Sequence, residues 1–165
     1  MKFKLSSALI ATPPVTEGPY FMEIKKIGFG QTKKEHKPTL DVVLGFTEAE
    51  VMDYAGGEAL NNSAHNLTVF DSIQLGVTEK LTIEMITLKI AKFVNAVLRD
   101  KQAFKTVGDF DNETKETQDL VASFVGKYVK VIIKYDPAKD GYDAKNKVGG
   151  YYAITEADGF NEPAF

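Results

Sequence analysis

The chain contains one long pattern typical of an amphipathic helix, and its other apolar runs have the length of strands. This combination restricts the possible folds more than any other feature of the sequence. Six apolar residues recur at spacings of three and four, which places them on one face of a helix: Ile83, Ile86, Ile90, Phe93, Val94 and Val97. Thr78 is a suitable N-cap for it. The sequence therefore predicts an amphipathic helix over about residues 79–100.

Five further runs have the composition of strands. Three precede the helix, at residues 20–27, 39–46 and 66–73, and two follow it, at residues 127–135 and 147–155. Alternation in the fourth run predicts a core face and an outer face, the core face with Val129, Val131, Ile133 and Tyr135 and the outer face with Tyr128, Lys130 and Lys134. The Gly149-Gly150 pair predicts a bulge in the last strand.

The segments between these runs are read as connections. Residues 47–65 are acidic and then rich in Gly, Asn and Ser, which predicts a long connection that allows one helical turn at residues 48–54. Residues 101–112 are loop-like, and residues 113–125 predict a second helix that ends at Gly126.

Three strands, a helix and two strands in sequence are the order of an OB-fold, a small five-stranded barrel. We therefore predict a mainly β protein with one domain over residues 1–155, in which residues 1–17 form an N-terminal arm or an extra strand. An OB-fold binds its ligands on strands two and three and on the loops that join strands one to two and four to five. Here those loops are residues 28–37 and 136–146.

The charge distribution selects the same segments. The chain carries a formal net charge of −3, with 20 Lys and Arg against 23 Asp and Glu. Residues 1–37 hold 7 basic against 3 acidic residues, residues 38–124 hold 7 against 14, residues 125–155 hold 6 against 3, and residues 156–165 hold 0 against 3. Two basic segments in an acidic protein indicate a local surface for a polyanion, because the local field governs docking.

Single-stranded nucleic acid offers phosphates and flat bases, which cations and aromatic rings can bind. The candidate residues of the two basic segments are Phe29, Lys33, Lys34, Lys37, Tyr128, Lys130, Lys134, Lys139, Tyr142, Lys145, Tyr151 and Tyr152, with Lys25, Lys26 and Lys147 beside them. Tyr142, at a loop tip, is the leading stacking candidate. Strand alternation points one of Tyr151 and Tyr152 outward, and the sequence does not say which.

A structural role competes with each of these assignments. An exposed lysine on a strand is more often a solvated edge residue than a ligand contact, and a strand aromatic is more often part of the core. On the second ground, four aromatic residues are assigned to the core: Phe46, Phe70, Phe93 and Tyr135.

The sequence gives little support to an enzyme, a metal site or a cofactor site. Cysteine is absent, and Gly28-Phe29-Gly30 lacks the third glycine of a dinucleotide-binding loop. His36 and His65 lie in predicted loops without acidic partners at ligand spacing. A metal-dependent nuclease is the weakest alternative and would need convergence of Asp41, Asp71 and Asp109. No run approaches the roughly 20 apolar residues of a membrane span, so we expect no membrane role. The absence of cysteine suits a reducing, cytoplasmic location.

Three short motifs carry a resemblance to a known family. They are Gly18-Pro19-Tyr20, then Leu120-Val121 with residues 124–129, and then the segment from Tyr142 to Val148 with Asn146. Over most of residues 15–155 the chain resembles the phage-encoded single-stranded-DNA-binding proteins, a divergent OB-fold group. The resemblance implies DNA as the ligand, a role in phage replication or recombination, and the cytoplasm of an infected bacterium as the location.

The last ten residues add to this resemblance. Residues 156–165 contain three acids and end on Phe165, and they are similar to the acidic tails with which such proteins recruit replication and repair partners. Glu162 and Phe165 are the residues expected to contact a partner, because a terminal ring and a carboxylate suit an apolar pocket with a basic rim. An ordinary chain terminus is the competing interpretation.

The sequence as a whole predicts a non-catalytic, sequence-tolerant single-stranded-DNA-binding protein, with RNA as an open alternative ligand. A structural or adaptor β-barrel that binds protein is the second hypothesis. The two differ in surface layout, because a nucleic-acid binder should place Lys34, Lys130, Lys139 and Tyr142 in one groove. An adaptor should scatter them and expose an apolar patch.

Overall fold

The computed structural model describes residues 15–47, 50–52, 59–63, 67–137 and 145–162. Its elements in chain order are β1 (Gly18–Gln31), β2 (Pro38–Phe46), β3 (Glu50–Met52), β4 (Ala59–Ser63), β5 (Thr68–Gln74), α1 (Ile83–Leu98), α2 (Ala103–Val107), α3 (Lys115–Ala122), β6 (Tyr128–Asp136), β7 (Lys145–Tyr152) and a 3-10 helix (Glu156–Asp158). Most of the predicted arm and the predicted sites Lys139, Tyr142 and Phe165 lie outside these ranges, as does His65.

Five antiparallel strands form an open sheet in the spatial order β5-β2-β1-β6-β7. The predicted mainly β class is therefore confirmed. The order along the chain differs from the predicted one, because β3 and β4 form a separate two-stranded sheet between the second and third predicted strands. The helical turn predicted at residues 48–54 is wrong where the backbone is described, since Glu50–Met52 is a strand.

The long strand β1 holds the two halves of the sheet together. Its first residues pair with β6, from Gly18 opposite Ile133 to Glu23 opposite Tyr128. The residues from Met22 to Gln31 pair with β2, so Met22 and Glu23 have a partner on each side. A bulge between Ile24 and Lys26 interrupts the ladder with β2. Because β2 runs antiparallel to β1, with Pro38 opposite Gln31, the beginnings of β1 and β2 lie at opposite ends of the sheet.

The core lies between the sheet and α1. Alternate strand residues point into it, and they include Met22, Ile24, Leu40, Val42, Leu44, Val69, Ile73, Val129, Val131 and Ile133. The predicted inner face of the fourth predicted strand is thus confirmed for its three aliphatic residues, while Tyr135 is half-buried. Phe46 and Phe93 are buried as predicted, at 4% and 0% exposure.

Helix α1 begins four residues later than predicted. Thr82 is its N-cap and accepts a hydrogen bond from the Met85 backbone N–H at 3.3 Å. Thr78 accepts instead from the Leu81 backbone N–H at 2.9 Å, in the turn before the helix. The apolar stripe of α1 packs across β5, β6 and β7. Phe93 lies at its centre, with its ring centroid 4.8 Å from that of Tyr151 and 6.0 Å from that of Phe124.

The last strand carries the bulge that its glycines predict. Ile132 pairs with Gly150 and Ile133 with Val148, so Gly149 is the extra residue. At the start of β7, the Asn146 side chain holds the segment before β1: its Oδ1 accepts from the Val15 N–H at 2.7 Å and its Nδ2 donates to the Val15 carbonyl at 2.9 Å. The amide of Asn146 therefore pairs with this segment as a neighbouring strand would.

Candidate nucleic-acid interface

The outer face of β1, β2 and β5 is built from cross-strand rows that the pairing register defines. Lys26, Val43 and Phe70 form one row, Gly28, Asp41 and Ser72 the next, and Gly30, Thr39 and Gln74 a third. Strand residues opposite one another point to the same face. The first two rows therefore bring Lys26, Gly28 and the exposed Phe70 ring onto one part of this face.

Phe70 is the most exposed large apolar side chain on this face, at 62% exposure. The sequence-based assignment of Phe70 to the core is therefore wrong. Its neighbours explain the difference, because Val69 and Ile73 are buried and the strand alternation then turns Phe70 outward. That period-two pattern is present in the sequence, and it indicates an outward Phe70 more reliably than the general burial of strand aromatics does.

The rows beside Phe70 leave the sheet uncovered at Gly28. A Cβ added at Gly28 would meet no atom within 4 Å, so the backbone there is open to a flat ligand. Gly45 is different, because the aliphatic stem of Lys25 lies over it. The Nζ of Lys25 reaches the Glu23 carboxylate at 3.1 Å. Asp41 accepts from the Ser72 hydroxyl at 2.7 Å and adds a second carboxylate to this face.

The predicted basic loop after β1 lies at the Gln31 end of that strand. Lys33 and Lys34 are exposed in the turn, and Lys37 pairs with Glu35 at 3.0 Å. The Phe29 side chain, in contrast, does not point to solvent beside these lysines. It is half-buried and packs on Phe110, with ring centroids 6.0 Å apart.

The predicted basic residues of β6 and β7 lie at the opposite end of β1, because β6 runs antiparallel to it. Lys134 and Lys145 are exposed, and Lys147 pairs with Asp136 at 2.9 Å. The structure thus separates the two predicted lysine sets by the length of β1. A ligand that touched both would have to cross the outer face between them.

The segment after β7 folds back on the outer face of β1 and β6. The Phe160 ring stacks on Phe21 with centroids 4.5 Å apart and an interplanar angle of 24°, and it lies 5.4 Å from the Tyr128 ring. Lys130 and Asp158 form an ion pair at 3.0 Å, and Arg99 and Glu162 form another at 2.7 Å. Two predicted binding residues, Tyr128 and Lys130, therefore lie against this segment.

These contacts shift two ionisation equilibria. Tyr128 is 4% exposed and its hydroxyl donates to the Glu23 carboxylate at 3.0 Å. Burial and then this hydrogen bond raise the pKa of Tyr128 above its usual value. The backbone N–H of Thr155 and then the Lys130 ammonium hold the pKa of Asp158 below its usual range. Both contacts therefore favour the ionised form of Asp158, which is the form that pairs with Lys130.

Tyr151 is the inward member of the tyrosine pair and Tyr152 the outward one. Tyr151 packs on Phe93, and its hydroxyl donates to Asp71 Oδ2 at 2.6 Å. This bond joins the two edge strands of the sheet, β5 and β7. Tyr152 is 53% exposed beside Lys130 in the register. Of the two, only Tyr152 has a ring face free for stacking.

The Tyr151–Asp71 bond predicts a dependence of stability on high pH. Burial, the charge of Asp71 and the hydrogen bond to it raise the pKa of Tyr151 well above its ordinary value near 10. Above about pH 10 the unfolded chain loses this proton while the folded chain keeps it, so the folded state is destabilised as pH rises. We expect the stability advantage of the native protein over Tyr151→Phe, measured by urea unfolding, to fall by about 1.4 kcal/mol per pH unit there.

Below about pH 9 the same comparison should give a constant difference of about 1–3 kcal/mol, because Tyr151→Phe leaves a charged hydrogen-bond acceptor without its donor. Contributions that the two proteins share cancel in the difference. Parallel pH profiles for the two proteins would contradict the assignment of the proton to Tyr151.

The acids named for a nuclease do not meet. Asp41 points to the outer face, whereas Asp71 points inward to Tyr151. Within the described ranges, no group of three or more His, Asp or Glu side chains is placed to hold a metal ion. His36 is exposed in the turn after β1, with a positive φ of 52°. Over the same ranges, none of the helices has the length and apolar character to span a bilayer.

The chain matches no protein-family model and no curated protein sequence. The candidate site therefore rests on its geometry: an exposed ring, an open glycine and a lysine on the face of β1, β2 and β5, with exposed lysines near both ends of β1.

Proposed function

We propose that the chain is a non-catalytic, sequence-tolerant single-stranded-DNA-binding protein, and that its sheet is a partly open OB-type barrel. The observation that carries the proposal is Phe70, a ring 62% exposed on the outer face of β5 in the same row as Lys26. Base stacking on such a ring contributes about 1–3 kcal/mol per base and tolerates any sequence.

The strand order supports the barrel. The five long strands are β1, β2, β5, β6 and β7, and the fourth of them lies beside the first to give the order β6-β1-β2-β5. This is a Greek key. The fifth strand, β7, approaches the third, β5, through the Tyr151–Asp71 bond, and α1 connects the third to the fourth. In an OB-fold the face formed by the second and third strands binds the ligand, and here that face carries Phe70.

The layout of charge supports a polyanionic ligand. Lys33 and Lys34 at one end of β1 and Lys134 and Lys145 at the other are exposed and lie outside every ion pair of the described residues. A strand of nucleic acid that crossed the face would meet cations at both ends and the ring between them. DNA, phage replication or recombination, a host-cytoplasmic location and partner contacts by the tail come from the family resemblance.

Fluorescence-anisotropy titration tests the proposal directly. A labelled oligo-dT, the duplex of the same length and an oligo-U would each be titrated with the protein over a salt series. We expect tight binding of the single strand, weak binding of the duplex, and a log–log salt slope of about −0.7 per phosphate contacted. Equal affinity for oligo-U would extend the ligand class to RNA.

An adaptor β-barrel is the second candidate, and two surface features favour it. The lysines expected to share one groove are separated, because Lys34 follows the Gln31 end of β1 whereas Lys130 lies opposite Phe21 and pairs with Asp158. The second feature is a set of exposed apolar side chains: Val77 in the segment before α1, at 56%, and Ile83, Met85 and Leu88 in the first turns of α1, at 59%, 46% and 56%. Exposed apolar patches of this kind often mark protein contacts. An absence of oligonucleotide binding even at low salt would refute the single-strand proposal and favour this one, which sedimentation or affinity capture would then test.

A further inference from the structure

A large basic cleft lies where the edge strands β5 and β7 fail to pair. Its volume is about 1240 Å³, and α1 forms its third wall. The cations of its lining are Lys80, Lys89, Lys92, Arg99 and Lys101. They are five of only seven basic residues in the acidic segment 38–124, so the fold gathers almost all of the positive charge of that segment in one place.

The helix presents these cations as a stripe. Lys89, Lys92 and Arg99 recur at spacings of three and seven, with Ala96 on the same face. Arg99 pairs with Glu162, whereas the four lysines form no ion pair among the described residues. Unpaired ammonium groups on one wall of a cleft attract an anionic ligand.

The acids of the lining do not cancel this stripe. They are Asp71, Asp100 and Glu156. Asp71 accepts the Tyr151 hydroxyl, and Asp100 accepts the Gln102 backbone N–H at 2.9 Å. Five cations against three acids leave the lining with an excess of two positive charges.

The opposite wall suits a flat ligand. Gly149 and Gly150 lie on β7, and Tyr152, which is 53% exposed, follows them. The aliphatic stem of Lys134 lies over Gly149 and the Tyr152 ring lies over Gly150, so this wall presents a flat aromatic side chain. An exposed tyrosine ring can stack on a base. Cations on one wall and a ring on the other are the two elements by which single strands are held.

The cleft is continuous with the face that carries Phe70. Ser72 and Gln74 line the cleft and, by strand alternation, point to the same side of β5 as Phe70. We propose that a bound single strand crosses the face at Phe70, passes over the β5 edge and runs through the cleft along Lys89 and Lys92. This inference rests on the proposed function and adds the cleft to the binding site. Of the binding residues predicted from the sequence, only Tyr151 and Tyr152 line the cleft.

Lysine footprinting of the native protein tests the track. The protein would be acetylated alone and with saturating oligo-dT of about 20 nucleotides, a length above the ~4–16 that one OB-fold covers. We expect Lys89 and Lys92 to be protected by the oligonucleotide. Lys105 and Lys115, which are exposed on α2 and α3 outside the cleft, should be modified equally in both samples.

Charge removal provides the second measurement. The double variant Lys89→Ala/Lys92→Ala should bind the long oligo-dT more weakly and lower the magnitude of its salt slope by about 1.4, which is two phosphate contacts. It should bind an oligo-dT of about 6 nucleotides like the native protein, because so short a strand is held at Phe70. Lys105→Ala/Lys115→Ala removes the same charge elsewhere and should leave both affinities unchanged.

The outcomes separate the two proposals. If the long oligonucleotide binds but Lys89 and Lys92 are modified like Lys105 and Lys115, the track through the cleft is wrong while the single-strand function stands. The cleft would then be open to an anionic polypeptide. If the native protein binds neither oligonucleotide, the proposed function fails and the track fails with it.

Discussion

Phe70→Ala is expected to weaken the binding of oligo-dT by about 5- to 150-fold, the equivalent of one lost base stack. Phe70 is 62% exposed, and its row-mate Val43 does not cover it. The substitution should therefore change the free energy of unfolding by less than about 0.5 kcal/mol. Anisotropy titration and urea unfolding of the same preparation measure the two quantities.

Two matched variants sharpen this result. Phe70→Tyr keeps the ring and should bind like the native protein. Val125→Ala shortens another exposed apolar side chain, 51% exposed and outside the sheet face, and should bind normally as well. Native affinity in Phe70→Ala would exclude the β1, β2 and β5 face as the stacking surface.

Phe93→Ala should lower the free energy of unfolding by about 3–5 kcal/mol, the range for removal of a buried phenylalanine ring. The side chain is 0% exposed and lies between Phe124 and Tyr151. The cavity would open beside the one tyrosine that joins β5 to β7 in the described part of the sheet. We therefore expect loss of stability together with loosening of the sheet closure.

Urea unfolding monitored by circular dichroism measures this effect. Phe93→Leu keeps most of the apolar volume and should cost clearly less than Phe93→Ala. Hydrogen exchange of the β7 backbone amides, compared with exchange of the β2 amides, measures separately whether the contact between β5 and β7 loosens. A cost below about 1 kcal/mol for Phe93→Ala would contradict the central position of this ring in the core.

Repeating patterns made most of the secondary structure predictable. The helix expected at residues 79–100 is α1 at Ile83–Leu98, and the run expected at residues 127–135 is β6 at Tyr128–Asp136. Burial of one face imposes a period on the sequence, and that period survives without any knowledge of the partners. The short strand β4 has the sequence ALNNS and carries no such period, so the sequence predicts a loop there.

The candidate site was less predictable, because its surfaces depend on contacts between distant residues. Lys89 and Lys92 resemble any solvated helix face until β7 is placed opposite them. Phe160 reaches Phe21 across 139 positions of sequence, and no local pattern encodes that distance. Phe70 is the exception, because its outward direction could have been read from its buried neighbours Val69 and Ile73.

The docked segment from Thr155 to Glu162 also has a bearing on colloidal behaviour. Residues 156–165 contribute three acids and no base to a chain of formal charge −3, so their removal gives −3 + 3 = 0. The same truncation would uncover the Phe21 and Tyr128 rings that Phe160 covers. A protein of zero net charge with newly exposed rings tends to self-associate. Residues 156–165 are therefore expected to oppose self-association of the chain, whatever partner they contact.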